Sequence, residues 1–519
     1  MRRRFTDAAL VLLLAAPFLA GCGKQEGERP FTVLVPVEAN TLDPHFATST
    51  IEWTILMNVM EPLIARSDGM REAPALAESW EVDGTKKVWT FRLRKGVKFQ
   101  NGESFDARAV KYTFERMRDR SLRARTTVPN RIALDKVEEV DAHTVRIHTK
   151  TPIAIVPAWL VNAFILPPKY YSSTPPKEVL GKPMGTGPYR MTEWVKDSFI
   201  RMEAHEGWWG GKPRIRTVVW RPVPEASARV AELESGGADL ITAISADQAN
   251  LIARRKEGFQ TFSIQGGRRV YIGIRTDWDA FGDARVRQAM NYAVNFELVA
   301  KQFLLGHGSR MATVVCPPNG NPQVKPYPYD PAKARALLAA AGLKDSDGDG
   351  ILESNGRPLR LKLDVPVARY LQGMEIAEAA AADLRAVGIH VEVQPLEWSV
   401  FLSNRRKKAL SPLYLHGFSS AFNAETDLGA LRPALFANMT GWKNAEFVEG
   451  FNRLRQTFDE EERKRISDRL QELVHKEAPW IFLWNQYDFF AGSSRVEWKP
   501  RPDERIYLPA VSVKEKPAK

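Results

Sequence analysis

Residues 31–37 (FTVLVPV) form a short continuous apolar run, and residues 87–94 (KVWTFRLR) alternate apolar with polar side chains, so both read as strands, the second half-buried. Further strands fit Thr144 to His148, Arg216 to Arg221, Val270 to Ile274 and residues 359 to 365. Helices between them carry clear punctuation. Asp106 stands at the N-cap of a helix whose Val110, Phe114 and Met117 follow the i, i+4, i+7 stripe. Asp283 precedes a helix with Val286, Ala289, Met290 and Ala293 inward. Asp330 and Pro331 supply an N-cap and a first-turn proline for Ala332 to Ala341, which Gly342 ends. Ile376 to Val387 repeats that design, with Gly388 as its stop. Asp459 and Glu462 make a capping-box-like start for a long helix that carries Ile466, Leu470, Leu473 and Val474 on one face and halts before Pro479. Short β-type runs alternating with capped helices are the pattern of α/β lobes. No internal repeat of 20 to 50 residues interrupts it.

The chain's 519 residues suffice for roughly three domains with sizeable cores, at about 100 to 200 residues each. With 44% apolar and 26% charged residues it reads as a folded soluble body. The first residues set its compartment. Arg2, Arg3 and Arg4 precede an apolar stretch, Ala8 to Ala16, too short to span a bilayer, and Leu19-Ala20-Gly21-Cys22 closes it with small residues. Residues 1–21 therefore read as a cleavable signal peptide for ordinary export, and the closing four resemble the lipobox whose cysteine, here Cys22, is acylated. Residues 22–30 are then a lipidated tether, flexible by composition. Removing residues 1–21, with three Arg and one Asp, leaves 71 basic and 61 acidic residues, so the mature body keeps a charge of +10. The only basic run, Arg405 to Lys408, reads as a solvated helix end, and an exported lipoprotein is not expected to meet nucleic acid. With Cys22 acylated, Cys316 has no intramolecular partner and reads as a buried structural thiol.

A search for catalytic machinery finds none. The eight His are scattered without metal-ligand spacing, there is no G-x-S-x-G elbow, and the glycine loop Gly185 to Tyr189 carries a proline where a phosphate cradle needs a donating N–H. No catalytic residue and no cofactor are assigned. Asp345, Asp347 and Asp349 match positions 1, 3 and 5 of an EF-hand loop, with Glu353 at position 9, but Gly356 replaces the bidentate ligand at position 12. A structural calcium site and a polar surface turn are both open readings of this run. Aromatic side chains, among them Trp398, Phe418, Phe422 and Trp442, are candidates to line a pocket or to fill cores.

Several stretches, in order, resemble the solute-binding lipoproteins of bacterial ABC importers, the oligopeptide/dipeptide-binding family 5 group. They include Thr41-Leu42-Asp43-Pro44, Glu61-Pro62-Leu63, Pro74 to Trp80, Trp89-Thr90-Phe91 with Gly96 to Phe99, Gly185 to Tyr189, Val286 to Ala293 and Gly441-Trp442-Lys443-Asn444. The resemblance runs from about residue 31 to 508. It implies an α/β, two-lobed periplasmic-binding-protein fold of the type II clamshell kind, with an extra domain inserted in the first lobe. Lobe I would combine 31–60, 178–268 and 487–510; the accessory domain would be 61–177, lobe II 269–486 and the tail 511–519. Hinges would lie near Gly266-Gly267 and Asn485-Gln486, where paired glycines absorb changes in φ and ψ.

The implied activity is capture of a peptide or peptide-like solute outside the cytoplasmic membrane, in the periplasm or on the outer membrane face, and its delivery to an ABC permease, with no covalent chemistry. A nickel, haem or sugar ligand on the same fold is the nearer alternative, and a secreted hydrolase the distant one. Candidate ligand contacts are His45, Arg369, Trp398, Phe418, Ser419, Ala421, Phe422 and Trp442. Arg369 stands where relatives place a side chain able to take a ligand carboxylate. One departure matters. Gly417 to Ala424 resembles a cleft loop that usually reads G-W-x-x-D-x-x-D-P, whose first Asp holds the peptide's amino group, and here Ala421 and Ala424 replace both acids. A free amino terminus thus loses its usual partner, unless Glu425 or Asp427 substitutes.

Overall fold

A computed structural model describes residues 29–514 except 256–257, 368 and 434–437. The signal peptide, Cys22 and most of the tether lie outside the described residues, as does the end of the tail.

The expected elements form, and local chemistry explains their limits. In the strand Val88–Leu93 the side chains of Trp89, Phe91 and Leu93 are buried while Arg92 is exposed, the alternation that one buried face requires. Asp106 caps the helix Ala107–Arg118 through Arg108 N at 3.0 Å, and Asp283 caps Ala284–Ala293 through Arg285 N at 2.8 Å. Asp330 accepts from Lys333 N at 2.8 Å over the helix Pro331–Ala340, which Gly342 leaves at φ +86. Asp459 caps Glu460–Glu477, but Glu462 does not close a capping box; its carboxylate pairs with Arg453 and Arg465 instead.

Two long antiparallel strands hold the molecule together, Phe259–Ile274 and Trp480–Ser493. Their outer halves, near Phe259 and Ser493, join a sheet with Leu240–Ile241, Phe31–Val35, Thr217–Pro222, Phe199–Ala204 and Tyr189–Val195. Their other halves pair with Leu413–Ser419 and Ser309–Arg310, and the sheet continues through Arg360–Pro366 to His390–Leu396. Separate hydrophobic cores flank the two ends: one includes Val33, Trp220 and Phe490, the other Val270, Ile376 and Leu483. A third core is built of buried residues between Leu63 and Ile165 over the sheet Ala77–Val82, Val88–Leu93, Thr144–Thr149 and Leu134–Asp141. This is a two-lobed α/β clamshell whose halves share two continuous strands.

The crossover is irregular where the strands pass between lobes. The pairing slips between Gln265 and Arg269. There Gly267 N donates to Pro502 O at 3.0 Å and Gly267 O accepts from Ser420 N at 2.8 Å, so its backbone serves loops of both lobes. A side chain would not fit at this point: a Cβ on Gly267 would stand 2.7 Å from the Phe422 ring, and one on Gly266 2.2 Å from Asp488 Oδ2.

Candidate ligand cleft

A cavity of about 620 Å3 lies between the lobes, within the range that ligand sites occupy. One wall comes from the first lobe, with Val35, Ser49, Trp220 and Phe490; the other comes from the second, with Arg369, Trp398, Arg405 and His416 to Ser419. Its floor is the crossover itself, where Arg268, Asp488 and Glu504 meet.

The second-lobe wall is basic and aromatic. The Arg369 guanidinium lies 4.8 Å from the centre of the Trp398 ring, and Trp398 stacks on Phe401, which stacks on His416. This arrangement holds an otherwise exposed arginine flat against a rigid surface while leaving its donors to face the cavity. His416 is driven down to about 3 by burial and by the charges of Arg405 and Arg369, so it is a neutral imidazole. Phe418 sits edge-on to Trp480 at 5.9 Å, with the Arg269 guanidinium 4.1 Å from its ring centre.

The floor is acidic. Arg268 pairs with Glu504 at 3.2 Å. Asp488 Oδ1 accepts from Gln486 Nε2 at 2.9 Å, while its Oδ2 is buried without a hydrogen-bond partner. Burial first, and the neighbouring Glu504 charge second, push the Asp488 carboxyl up to about 8.

Of the sequence candidates, Arg369, Trp398, Phe418 and Ser419 line the cavity. Four do not. His45 is buried against Asp43 and Arg116, with Nδ1 accepting from Arg116 at 2.8 Å, and burial together with the Arg116 charge holds it down to about 3. Trp442 is buried in the second lobe and donates to Glu477 at 3.3 Å, so it belongs to a core. Phe422 covers Gly267 at the crossover, with φ +54, and Ala421 turns its carbonyl to Arg66. Asn485 and Gln486 occur where the returning strand crosses between lobes.

Glu425 and Asp427, the acids that follow the missing loop Asp in sequence, are engaged elsewhere. Glu425 is buried between Arg455 and Arg463, at 3.3 and 3.2 Å. Asp427 is buried against Arg269 at 3.0 Å and accepts from Ser420 Oγ and Cys316 N. Burial pushes the Cys316 thiol, 3.7 Å from Asp427, up to about 12, so it stays protonated. Asp345, Asp347 and Asp349 converge at the surface, where they also accept from the loop's own N–H groups; Glu353 lies in a hairpin outside this trio.

Sequence reading missed Arg268, Asp488 and Glu504. Asp488 had one local signal, a lone acid within Trp484-Asn485-Gln486-Tyr487-Asp488-Phe489-Phe490, where a strand buried on both faces has little room for charge.

The family model for bacterial extracellular solute-binding proteins, family 5 Middle, matches residues 72–431. The glutathione-binding protein GsiB of Salmonella choleraesuis is 29% identical over 474 residues, covering 87% of this chain and 88% of that protein. The same fold occurs in NikA from Brucella suis in complex with Fe(III)-EDTA, with a TM-score of 0.84, 24% identity and coverage of 94% and 100% of the two chains. It occurs too in DppA from Helicobacter pylori in complex with the peptide STSA, with a TM-score of 0.76, 23% identity and coverage of 94% and 98%. A match over most of the chain, a shared clamshell and a charged cavity between its lobes lead to one conclusion: this chain belongs to the family 5 bacterial extracellular solute-binding proteins.

Proposed function

We propose that the chain is the membrane-tethered solute receptor of an ABC importer and that its solute is a peptide or peptide-like molecule. The observation that carries this reading is the cavity between the lobes, acidic on its crossover floor and basic on its second-lobe wall. A peptide or amino-acid-derived solute has a cationic and an anionic end, and such a cleft accommodates both in one orientation. Arg369, steadied on Trp398, is the donor we assign to the ligand's carboxylate. The name of the GsiB relative, which specifies a tripeptide, agrees in class.

The protein would work by binding and not by covalent chemistry. The open form presents one lobe to solute, closure about residues 265–268 and 485–487 brings the other, and a ligand touching both lobes shifts the population to the closed form that a permease reads. The three cores agree in outline with a division into 31–60 with 178–268 and 487–510, an accessory domain 61–177, and 269–486, except that Phe164, Leu166 and Tyr171 pack into the first core. Acylation of Cys22 would keep the receptor at the membrane, in the periplasm or on the outer face. Among the described residues, the only group of three acidic, His or Cys side chains placed to share a bare metal ion is Asp345, Asp347 and Asp349, away from the cleft. Native mass spectrometry of protein purified from its own host tests the reading. A retained solute with a peptide fragmentation pattern is expected; a metal chelate, haem or sugar would overturn it.

A further inference from the structure

Three acidic side chains, Glu425, Asp427 and Asp488, are candidates to receive a ligand's amino group, and the first two are already paired with arginines. The third, Asp488, is different. It lines the cavity, its Oδ1 has a neutral amide donor in Gln486, and its Oδ2 lies buried over Gly266 with no donor at all. Among the described residues, the cation that bears on it, Arg268, is already paired with Glu504. Glu504 itself holds a left-handed backbone conformation, φ +62, that non-glycine residues rarely adopt, and its carboxylate meets Arg268 beside Asp488. The floor thus carries two carboxylates and one guanidinium within a cavity open to solute. Asp488 Oδ2 still lacks a hydrogen-bond donor there.

We propose that Asp488, assisted by Glu504, is the anchor for a ligand ammonium group on the floor of the cleft, and that it gives up a proton when the ammonium arrives. The proposal rests on the peptide reading and names which end of the solute binds where. In the free protein the carboxyl keeps its proton, because burial and the Glu504 charge outweigh Arg268. The exchange balances: a neutral carboxylic acid and a ligand ammonium become a carboxylate–ammonium pair and one released proton. Besides Glu504 and Arg268, the charged or titratable groups around the floor are Arg505, whose charge reaches Asp503 and Glu504, Tyr370, whose hydroxyl is held by Gly417, and across the cavity Arg369, Arg405 and His416. His416 is neutral, and the two arginines repel a cation from the far wall, so they favour the same orientation.

The test is calorimetry at pH 7 on the mature protein with two matched pairs, tri-alanine and glutathione, each free and N-acetylated. Every titration is run in phosphate and in Tris, whose ionisation enthalpies differ. The free form of the binding pair should bind about 100-fold more tightly than its acetylated form. Close to one proton should be released per free peptide, and none per acetylated one. Asp488→Asn should lower affinity for the free form by about 100-fold, abolish proton release and leave the acetylated form unchanged. Glu504→Gln is a second handle: with its charge gone, Asp488 ionises before the ligand arrives, so free peptide still binds but releases little proton. Equal binding of free and acetylated forms, or tight free-form binding without proton release in the wild type, overturns the role of Asp488 and leaves the peptide reading standing. If neither pair binds, the peptide reading falls and this proposal falls with it.

Discussion

Arg66, at the end of the short strand Ile64–Arg66, donates to the main-chain carbonyl of Ala421. The loop that this segment resembles carries an Asp at this position; here an alanine stands there and its backbone carbonyl is held by a guanidinium. The Arg66 side chain also lies against the Phe422 ring, 5.8 Å from its centre, and Phe422 in turn covers Gly267 at the crossover. The loop that lacks the acid is therefore tied to Arg66, and the amine site we propose lies on the cavity floor instead.

Removing that contact should loosen closure. A hydrogen bond from a charged donor contributes about 1.5 to 3 kcal/mol, so Arg66→Ala is expected to weaken solute binding roughly tenfold or more with little change in the free energy of unfolding. Calorimetric titration alongside urea denaturation separates the two effects.

Asp427→Ala should act in the opposite way. Asp427 and Arg269 are both fully buried and paired at 3.0 Å, and removing one member of such a pair leaves an uncompensated charge at a cost of about 3 to 5 kcal/mol. The midpoint of chemical denaturation should fall sharply. If stability is unchanged and peptide affinity collapses, Asp427 is a ligand group and its assignment to the core is wrong.

The ligand-free protein should lose stability with rising pH on account of Asp488. Its folded pKa, about 8, lies above the ordinary value of 3.8, so the unfolded chain releases this proton first. The native state then binds more protons than the unfolded state between those values, and stability falls across that window before levelling off above it. Asp488→Asn keeps the acceptor for Gln486 and removes the titration. Its melting temperature relative to wild type should climb from pH 4 to pH 8 and stay constant above.

Much of the fold was legible in the sequence because its signals are local. Asp106, Asp283, Asp330 and Asp459 each cap the helix they precede, and the alternation from Lys87 to Arg94 gives the strand Val88–Leu93. The long crossing strands were only partly visible: Val270 to Ile274 is an apolar run, but Phe259 to Gln265 mixes polar and apolar residues because it is half-buried at many positions. The cleft was less legible still. Arg369, Phe418 and Ser419 came from resemblance to family segments and Trp398 from its aromatic character, whereas Arg268, Asp488 and Glu504 are brought together from separate parts of the chain, the first two 220 residues apart, and no spacing rule links them. His45 and Trp442 show the converse. Each is a polar or amphipathic ring that the fold uses to satisfy a buried ion pair, Asp43–Arg116 and Arg287–Glu477.

The proposed anchoring rests on Cys22, which lies outside the described residues. Cys22→Ser should remove the acylation site and shift the protein from the membrane to the soluble fraction after export. Fractionation with immunodetection reads this directly, and full retention of the variant on membranes would contradict the lipobox assignment.

Capture of solute by closure of two lobes is the central claim, and small-angle X-ray scattering measures it most directly. Mature protein is unfolded, freed of retained solute, refolded and measured alone and with a saturating amount of the tightest-binding peptide. A fall in the radius of gyration that saturates at one peptide per chain is expected, since ligand contact with both walls is available only when the lobes are closed. A saturated complex with the same radius of gyration as the free protein would contradict the account.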